Sequence, residues 1–145
     1  MIKEVAGDDV TRAIDFVIRV FSEFNSEKAR NSFESTLGSK FIIALKSGER
    51  KMWAYYLDGE IIGVIARRDT HHISLMFVDR QYHRQGIARQ LFDVVLDEFK
   101  KEDATQITVN SSSYAIKFYE HLGFVITGDS QEKDGIIFTP MIRTL

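Results

Sequence analysis

The stretch His83-Arg84-Gln85-Gly86-Ile87-Ala88-Arg89 is the most chemically suggestive part of the chain. It follows the apolar run Ile73–Val78 and leads into Ala88, Leu91, Phe92, Val95 and Phe99, which recur at helical spacing. A helix start presents several backbone N–H groups without internal partners, together with the positive end of the helix dipole. Anions bind there. Gly86 has no Cβ, so backbone and ligand can approach closely, and Ala88 is nearly as small. Arg84 and Arg89 add positive charge. The stretch reads as a cradle for phosphate or pyrophosphate, or as a strand-to-helix turn that needs a glycine. No Gly-Lys-Ser/Thr follows, so it is not a nucleoside-triphosphate loop. It also lacks the third glycine and the parallel β-α-β setting of a dinucleotide fingerprint.

Other chemistry is limited. There is no cysteine, hence no disulfide, thiol nucleophile or thiolate metal site. His71 and His72 are adjacent and on a strand point to opposite faces, while His83 and His121 fall in other elements. No carboxylate–histidine spacing accompanies them, so no metal is expected. Arg67, Arg68, Arg80, Arg84 and Arg89 could touch nucleic acid. Acidic residues outnumber basic ones, 21 to 19, and no base-stacking motif is present, so that partner is not expected. Lys100-Lys101-Glu102-Asp103 reads as a solvated helix end. By itself Tyr119, on a helix with Ile116 and Leu122, reads as a core tyrosine.

The 145 residues, 44% apolar and 12% aromatic, suffice for one sizeable core. No apolar run is long enough to cross a bilayer and no signal-peptide pattern opens the chain. A single domain over residues 1–145, in the cytoplasm and off the membrane, is the expectation. Ile2–Val5 reads as a strand. A helix capped by Asp8 or Asp9 carries Val10, Ile14, Val17, Phe21 and Phe24 on one face. Glu27–Leu37 is a second helix, ended by Gly38. Phe41–Leu45 fits either a helix end or a strand. Met52–Leu57 and Glu60–Arg67 flank Asp58-Gly59, a hairpin signal. His71–Val78 and Gln106–Val109 are strands, and Ser112–Leu122 is a helix stopped by Gly123 in left-handed conformation. Phe124–Thr127 and Ile136–Met141 form a closing antiparallel pair, with Pro140 at an edge or bulge. The order implies an α+β chain of three-layer type: a mixed, mostly antiparallel sheet with about four helices on its faces.

A second stretch, 110-NSSSYAIKFYEHLGF-124, joins the first. Together they resemble the GNAT superfamily of acetyl-CoA-dependent N-acyltransferases. Its cradle pattern, Arg/Gln-x-x-Gly-x-Gly/Ala, is matched by Gly86 and Ala88, with His83 at the first position. Its later Ala-x-x-x-Tyr-x-x-x-Gly-Phe is matched by Ala115, Tyr119, Gly123 and Phe124. The hairpin and the two final strands also sit where the family has them, so the resemblance covers nearly the whole chain. His83 departs from the usual Arg or Gln. Ser112 stands where many members have an asparagine that touches the coenzyme.

The resemblance implies that acetyl-CoA is co-substrate. The N–H groups of Arg84, Gln85, Gly86, Ile87, Ala88 and Arg89 would hold its pyrophosphate. The backbone of Met76, Phe77 and Val78 would pair with the pantetheine arm, and Ser112 would offer a hydroxyl. The strand before the cradle would splay from the next one to admit the thioester. A backbone N–H near Met76–Val78 would polarise its carbonyl. An amine of a small molecule or peptide would attack directly, and Tyr119 would be the general acid toward the departing sulfur. Ile107 stands where one subgroup has a glutamate, which leaves Glu23, His72 or an ordered water as the base. Phe21, Phe24, Asn25, Trp53 and Tyr55 are candidates for the acceptor pocket. Two alternatives stay open: a non-catalytic acyl-CoA-binding or regulatory module on the same fold, and a homodimer.

Overall fold

The computed structural model describes residues 1–145. It is built around one eight-stranded sheet. β1 (Ile2–Glu4) leads into α1 (Asp9–Phe24), α2 (Glu27–Thr36) and α3 (Ser39–Ser47). Three longer strands follow: β2 (Arg50–Leu57), β3 (Glu60–Arg68) and β4 (His72–Val78). α4 (Ile87–Lys101) crosses to β5 (Gln106–Ser111), and α5 (Ile116–His121) leads to β6 (Val125–Ile126), β7 (Gln131–Lys133) and β8 (Ile136–Thr144). The strand order is β1-β2-β3-β4-β5-β8-β6, with β7 also on β8. Only β4 and β5 are parallel, and α4 joins them, so the parallel β-α-β setting read as missing around Gly86 is present.

The core lies in two clusters, one on each face. Val17, Val20, Phe21 and Phe33 of α1 and α2 pack with Phe41 of α3 on Met52, Val64 and Leu75. Leu91, Phe92, Val95 and Phe99 of α4 cover Ile65, Ile73 and Ile107 on the opposite face, where Tyr119 and Phe124 join them. The mixed, mostly antiparallel three-layer architecture read from the sequence is therefore present, with five α-helices rather than four. The ambiguous Phe41–Leu45 is the extra one: Phe41 and Ala44 are buried at helical spacing.

Local chemistry explains most boundaries. Ser26 caps α2 by accepting from Ala29 N at 3.1 Å. Asp58 and Gly59 both take positive φ and join β2 to β3, as the hairpin signal requires. Gly123 ends α5 at φ +92°, and Phe124 N bonds back to Tyr119 O at 3.0 Å.

Three expectations are corrected. Neither Asp8 nor Asp9 caps α1: Asp8 makes no such bond, and the Asp9 carboxylate instead accepts from Arg12 at 3.0 Å and Tyr56 Oη at 2.7 Å. The Ser112–Leu122 helix begins as a 3₁₀ turn, Ser113–Ala115, and becomes α-helical only from Ile116. Pro140 lies within a strand paired on both sides rather than at an edge. Opposite β5 it pairs with Asn110. On its other side, just beyond the β6 pairing, its carbonyl accepts from Thr127 N at 3.0 Å.

Candidate active site

Parallel pairing of β4 and β5 is limited to His72↔Thr108 and Ile73↔Val109. Beyond these pairs the strands diverge. The cause is visible on β4: the β3–β4 register shifts between Ala66 and Arg67, which leaves Ser74 as an extra, bulged residue. The divergence opens a slot through the sheet, part of a cavity of about 830 Å³.

The backbone along this slot has polar groups to offer. Asp79 N bonds to Ile62 O at 2.9 Å. By strand alternation Phe77 also directs its N–H and C=O toward β3, while Met76 and Val78 direct theirs into the slot. The Val78 carbonyl is taken by His83 Nε2 at 2.8 Å. His83, the odd residue of the cradle pattern, thus ties the turn to the end of β4.

The turn continues the cavity wall. Arg84 has φ +63° and Gly86 has φ +78°. Left-handed residues alternating with right-handed ones point successive N–H groups into one concavity. None of the N–H groups from Arg84 to Arg89 donates a hydrogen bond within the protein; the first to do so is Gln90, to Gly86 O at 3.1 Å. They lie at the N-terminus of a fifteen-residue helix, with Arg84 and Arg89 on the cavity wall. α4 is held there by close approach at Gly63. A Cβ on Gly63 would meet Leu91 Cδ1 at 3.0 Å and Ile87 Cγ2 at 3.2 Å. Asp79 caps the short turn Arg80–Tyr82 through Gln81 N at 3.0 Å and holds Arg19 of α1 at 2.9 Å. Burial pushes the Asp79 carboxyl up, but the bonds from Arg19 and Gln81 outweigh it and hold it below the usual range.

Tyr119 lies on the cavity wall, on the α4 side of the sheet. Its ring is only 3% exposed and packs edge-on against Phe118 and Phe124. Burial, and then the neighbouring Tyr114, push its phenol above the usual value. The hydroxyl therefore keeps its proton at neutral pH, as a donor must.

Most of the site residues legible in the sequence meet here. Met76, Phe77, Val78, Arg84, Gly86, Ile87, Ala88, Arg89, Ser112 and Tyr119 all line the one cavity. Gln85 does not reach the wall, and its amide donates to Gln81 O at 3.3 Å. Of the acceptor candidates, Phe21, Phe24 and Asn25 line the cavity, whereas Trp53 and Tyr55 do not. β-strand alternation put these two on one face, but it is the α4 face, where Trp53 is buried with Ile65 and Leu91. Neither proposed base side chain reaches the cavity. Glu23 pairs with Arg19 at 3.1 Å on the outer side of α1. His72 is buried and bonded through Nδ1 to Thr108 Oγ1 at 2.7 Å, and burial, then the nearby Arg68 charge, hold it down to about 4. Sequence reasoning missed Phe33, Ser74, Tyr114 and the β8 segment Ile136–Phe138, all on the wall. Phe33 and the β8 segment come from elements without a motif, while Ser74 and Tyr114 lie beside motif residues but outside the patterns themselves.

Comparison with known proteins bears on the family and the fold. A family model described as an acetyltransferase (GNAT) domain matches residues 18–145. An N-acetyltransferase of Escherichia coli called YafP, itself uncharacterized, is 29% identical over 79 residues, 54% of this chain and 49% of that protein. N-alpha-acetyltransferase 30 of Dictyostelium discoideum is 32% identical over 79 residues, 48% of this chain and 43% of that protein. The chain spans about half the length of the curated relatives it matches. Among solved structures, a GCN5-related N-acetyltransferase from Rhodopseudomonas palustris superposes with TM-score 0.82 at 17% identity, covering 100% of this chain and 95% of that one. The PaiA N-acetyltransferase of Thermoplasma acidophilum, solved with coenzyme A, gives TM-score 0.75 at 17% identity, covering 100% and 99%.

Proposed function

We propose that this chain, which belongs to the GNAT acetyltransferase family, moves an acetyl group from acetyl-CoA to a primary amine by direct attack in a ternary complex. The observation that carries this reading is the run of free N–H groups from Arg84 to Arg89, which opens on the same cavity as the β4–β5 slot and Tyr119. The pyrophosphate would sit on those N–H groups between Arg84 and Arg89. The pantetheine arm would lie along Met76 and Val78, within reach of Ser112. The Met76 or Val78 N–H would stabilise negative charge on the thioester oxygen.

The amine nitrogen forms the new C–N bond as the C–S bond breaks. Its surplus proton passes to a water in the slot, because no aspartate or glutamate lines the cavity. The leaving sulfur receives the Tyr119 hydroxyl proton, and Tyr119 recovers one from solvent. An ammonium near pKa 10.4 must lose its first proton before attack, so rate should rise with pH through the neutral range.

The lack of a carboxylate also supports a second reading, a binding module without turnover. One experiment separates them. Acetyl-CoA and coenzyme A should bind in a calorimeter where ATP does not, and amines should then release free thiol from acetyl-CoA. Binding without thiol release across a broad amine panel favours the binding module. No binding of either coenzyme form defeats both readings.

A further inference from the structure

The cavity has two chemically distinct ends. The cradle end is cationic, with Arg84 and Arg89. The end between α1, α2 and β8 is formed by Phe21, Phe24, Phe33, Phe77, Tyr114 and Ile137. No carboxylate lines either end. Asn25 offers an amide among the rings: its Nδ2 donates to Phe21 O at 3.0 Å, which leaves Oδ1 as an acceptor.

Aromatic walls can hold cations, but only through ring faces. Here several of those faces are already engaged. Phe21 and Phe33 stack on each other at 4.1 Å and 11°. Phe77 meets Phe21 at 67° and Phe33 at 56°. Phe24 already carries the Arg80 guanidinium at 5.1 Å. Engaged faces leave less π surface for a cation, and Ile137 adds aliphatic surface beside them. Ring edges are the positive part of the aromatic quadrupole. A polycation entering this end would shed water, find no counter-charge and approach Arg80.

On the footing of the acetyltransferase reading, we infer that the acceptor is a monoamine borne on an apolar or aromatic body. Polyamines and aminoglycosides are excluded as preferred acceptors. The apolar body would fill the lobe between Phe33, Phe77 and Ile137. Its single amine would point to the slot, within reach of Asn25 Oδ1. Phe24 and Tyr114, 5.3 Å apart, face each other from α1 and from the turn after β5. They form the rim that the acceptor passes.

The test compares phenethylamine and a phenylalanine-initiated peptide amide with spermidine and kanamycin, by thiol release from acetyl-CoA. The same amines are examined by saturation-transfer NMR with coenzyme A bound, which reads preference without turnover. The apolar monoamines should exceed the polycations by about tenfold or more in kcat/KM or in binding. Phe24→Glu, at a position 38% exposed, should narrow that ratio by about tenfold with acetyl-CoA affinity unchanged. Equal or better use of the polycations by wild type overturns this inference and leaves acetyl transfer standing. Loss of acetyl-CoA binding in wild type overturns the acetyltransferase reading itself. Apolar amines that saturate the site without turning over support the inference and favour the non-catalytic module. No amine bound or turned over, with the coenzyme bound, overturns it.

Discussion

Gly86→Val separates backbone strain from ligand contact. Gly86 sits at φ +78°, and an added Cβ would meet only Gln90 Nε2, at 3.9 Å. There is no packing clash to relieve. The folding cost is conformational, about 1–2 kcal/mol for an L-residue in the left-handed region. For a chain of this size that lowers Tm by roughly 2–8 °C. The effect on coenzyme should be larger. If the turn relaxes out of the left-handed region, the N–H groups of Arg84 to Ile87 no longer converge. Losing two charge-assisted hydrogen bonds, each about 1.5–3 kcal/mol, weakens acetyl-CoA by at least about a hundredfold. Gly59→Val is the control. Gly59 has φ +80° at the tip of the β2–β3 hairpin, and its added Cβ meets no atom within 4 Å. It should lose the same stability and keep full coenzyme affinity. The assay is thermal melting without ligand beside calorimetric titration of acetyl-CoA. If Gly86→Val bound acetyl-CoA within threefold of wild type, the backbone cradle would be refuted, even with the melting shift as expected.

Tyr119→Phe keeps the buried ring contacts and removes only the hydroxyl. It should leave acetyl-CoA affinity intact and lower kcat about 10²-fold or more; unchanged kcat would remove Tyr119 from the chemistry. His72 is held neutral in the fold at about 4, against 6.5 when unfolded. The unfolded chain therefore binds more protons as pH falls from 6.5 toward 4, and stability drops across that window by roughly 3 kcal/mol. Melting curves should show the slope in wild type and a flatter one in His72→Gln; equal slopes would mean that other groups carry it. Arg67 is buried and held by Glu102 Oε1 at 2.7 Å and Asp69 O at 2.6 Å, with its Nε unpartnered. Glu102→Ala should cost roughly 1–3 kcal/mol, discounted for the partial exposure of Glu102. Asp97→Ala, which breaks an exposed pair with Lys101, should stay within about 0.5 kcal/mol in urea unfolding.

Local features were read from local sequence. The Asp58-Gly59 hairpin, the Gly123 stop and the buried stripe from Leu91 to Phe99 each follow from turn chemistry or from a period that one element carries alone. The free N–H groups were legible for the same reason: they belong to one continuous run from Arg84 to Arg89. The α1 cap failed because Asp9 had better partners. Tyr56 Oη and the Arg12 guanidinium outcompete a cap bond, and Tyr56 is 47 residues away in sequence. Strand alternation correctly put Trp53 and Tyr55 on one face. It could not say which, since both faces of β2 are covered by helices.

The acceptor side is the harder case, and the reason is physical. A cofactor that is recognised through backbone needs particular backbone conformations, and glycines at fixed spacing report those. An acceptor recognised by side chains from α1, α2, β4, β8 and the turn after β5 leaves no such record. Phe33 reads as an ordinary core residue of α2, and so it is, being 9% exposed and stacked on Phe21. The proposed second role, as a wall of the acceptor end, rests on its also lining the cavity that opens beside the Ser74 bulge. The same bulge leaves Ser74 Oγ without a partner. One extra residue in β4 thus accounts for the slot, for an unpaired hydroxyl beside it, and for a packed aromatic cluster that also walls the cavity where we propose the acceptor binds.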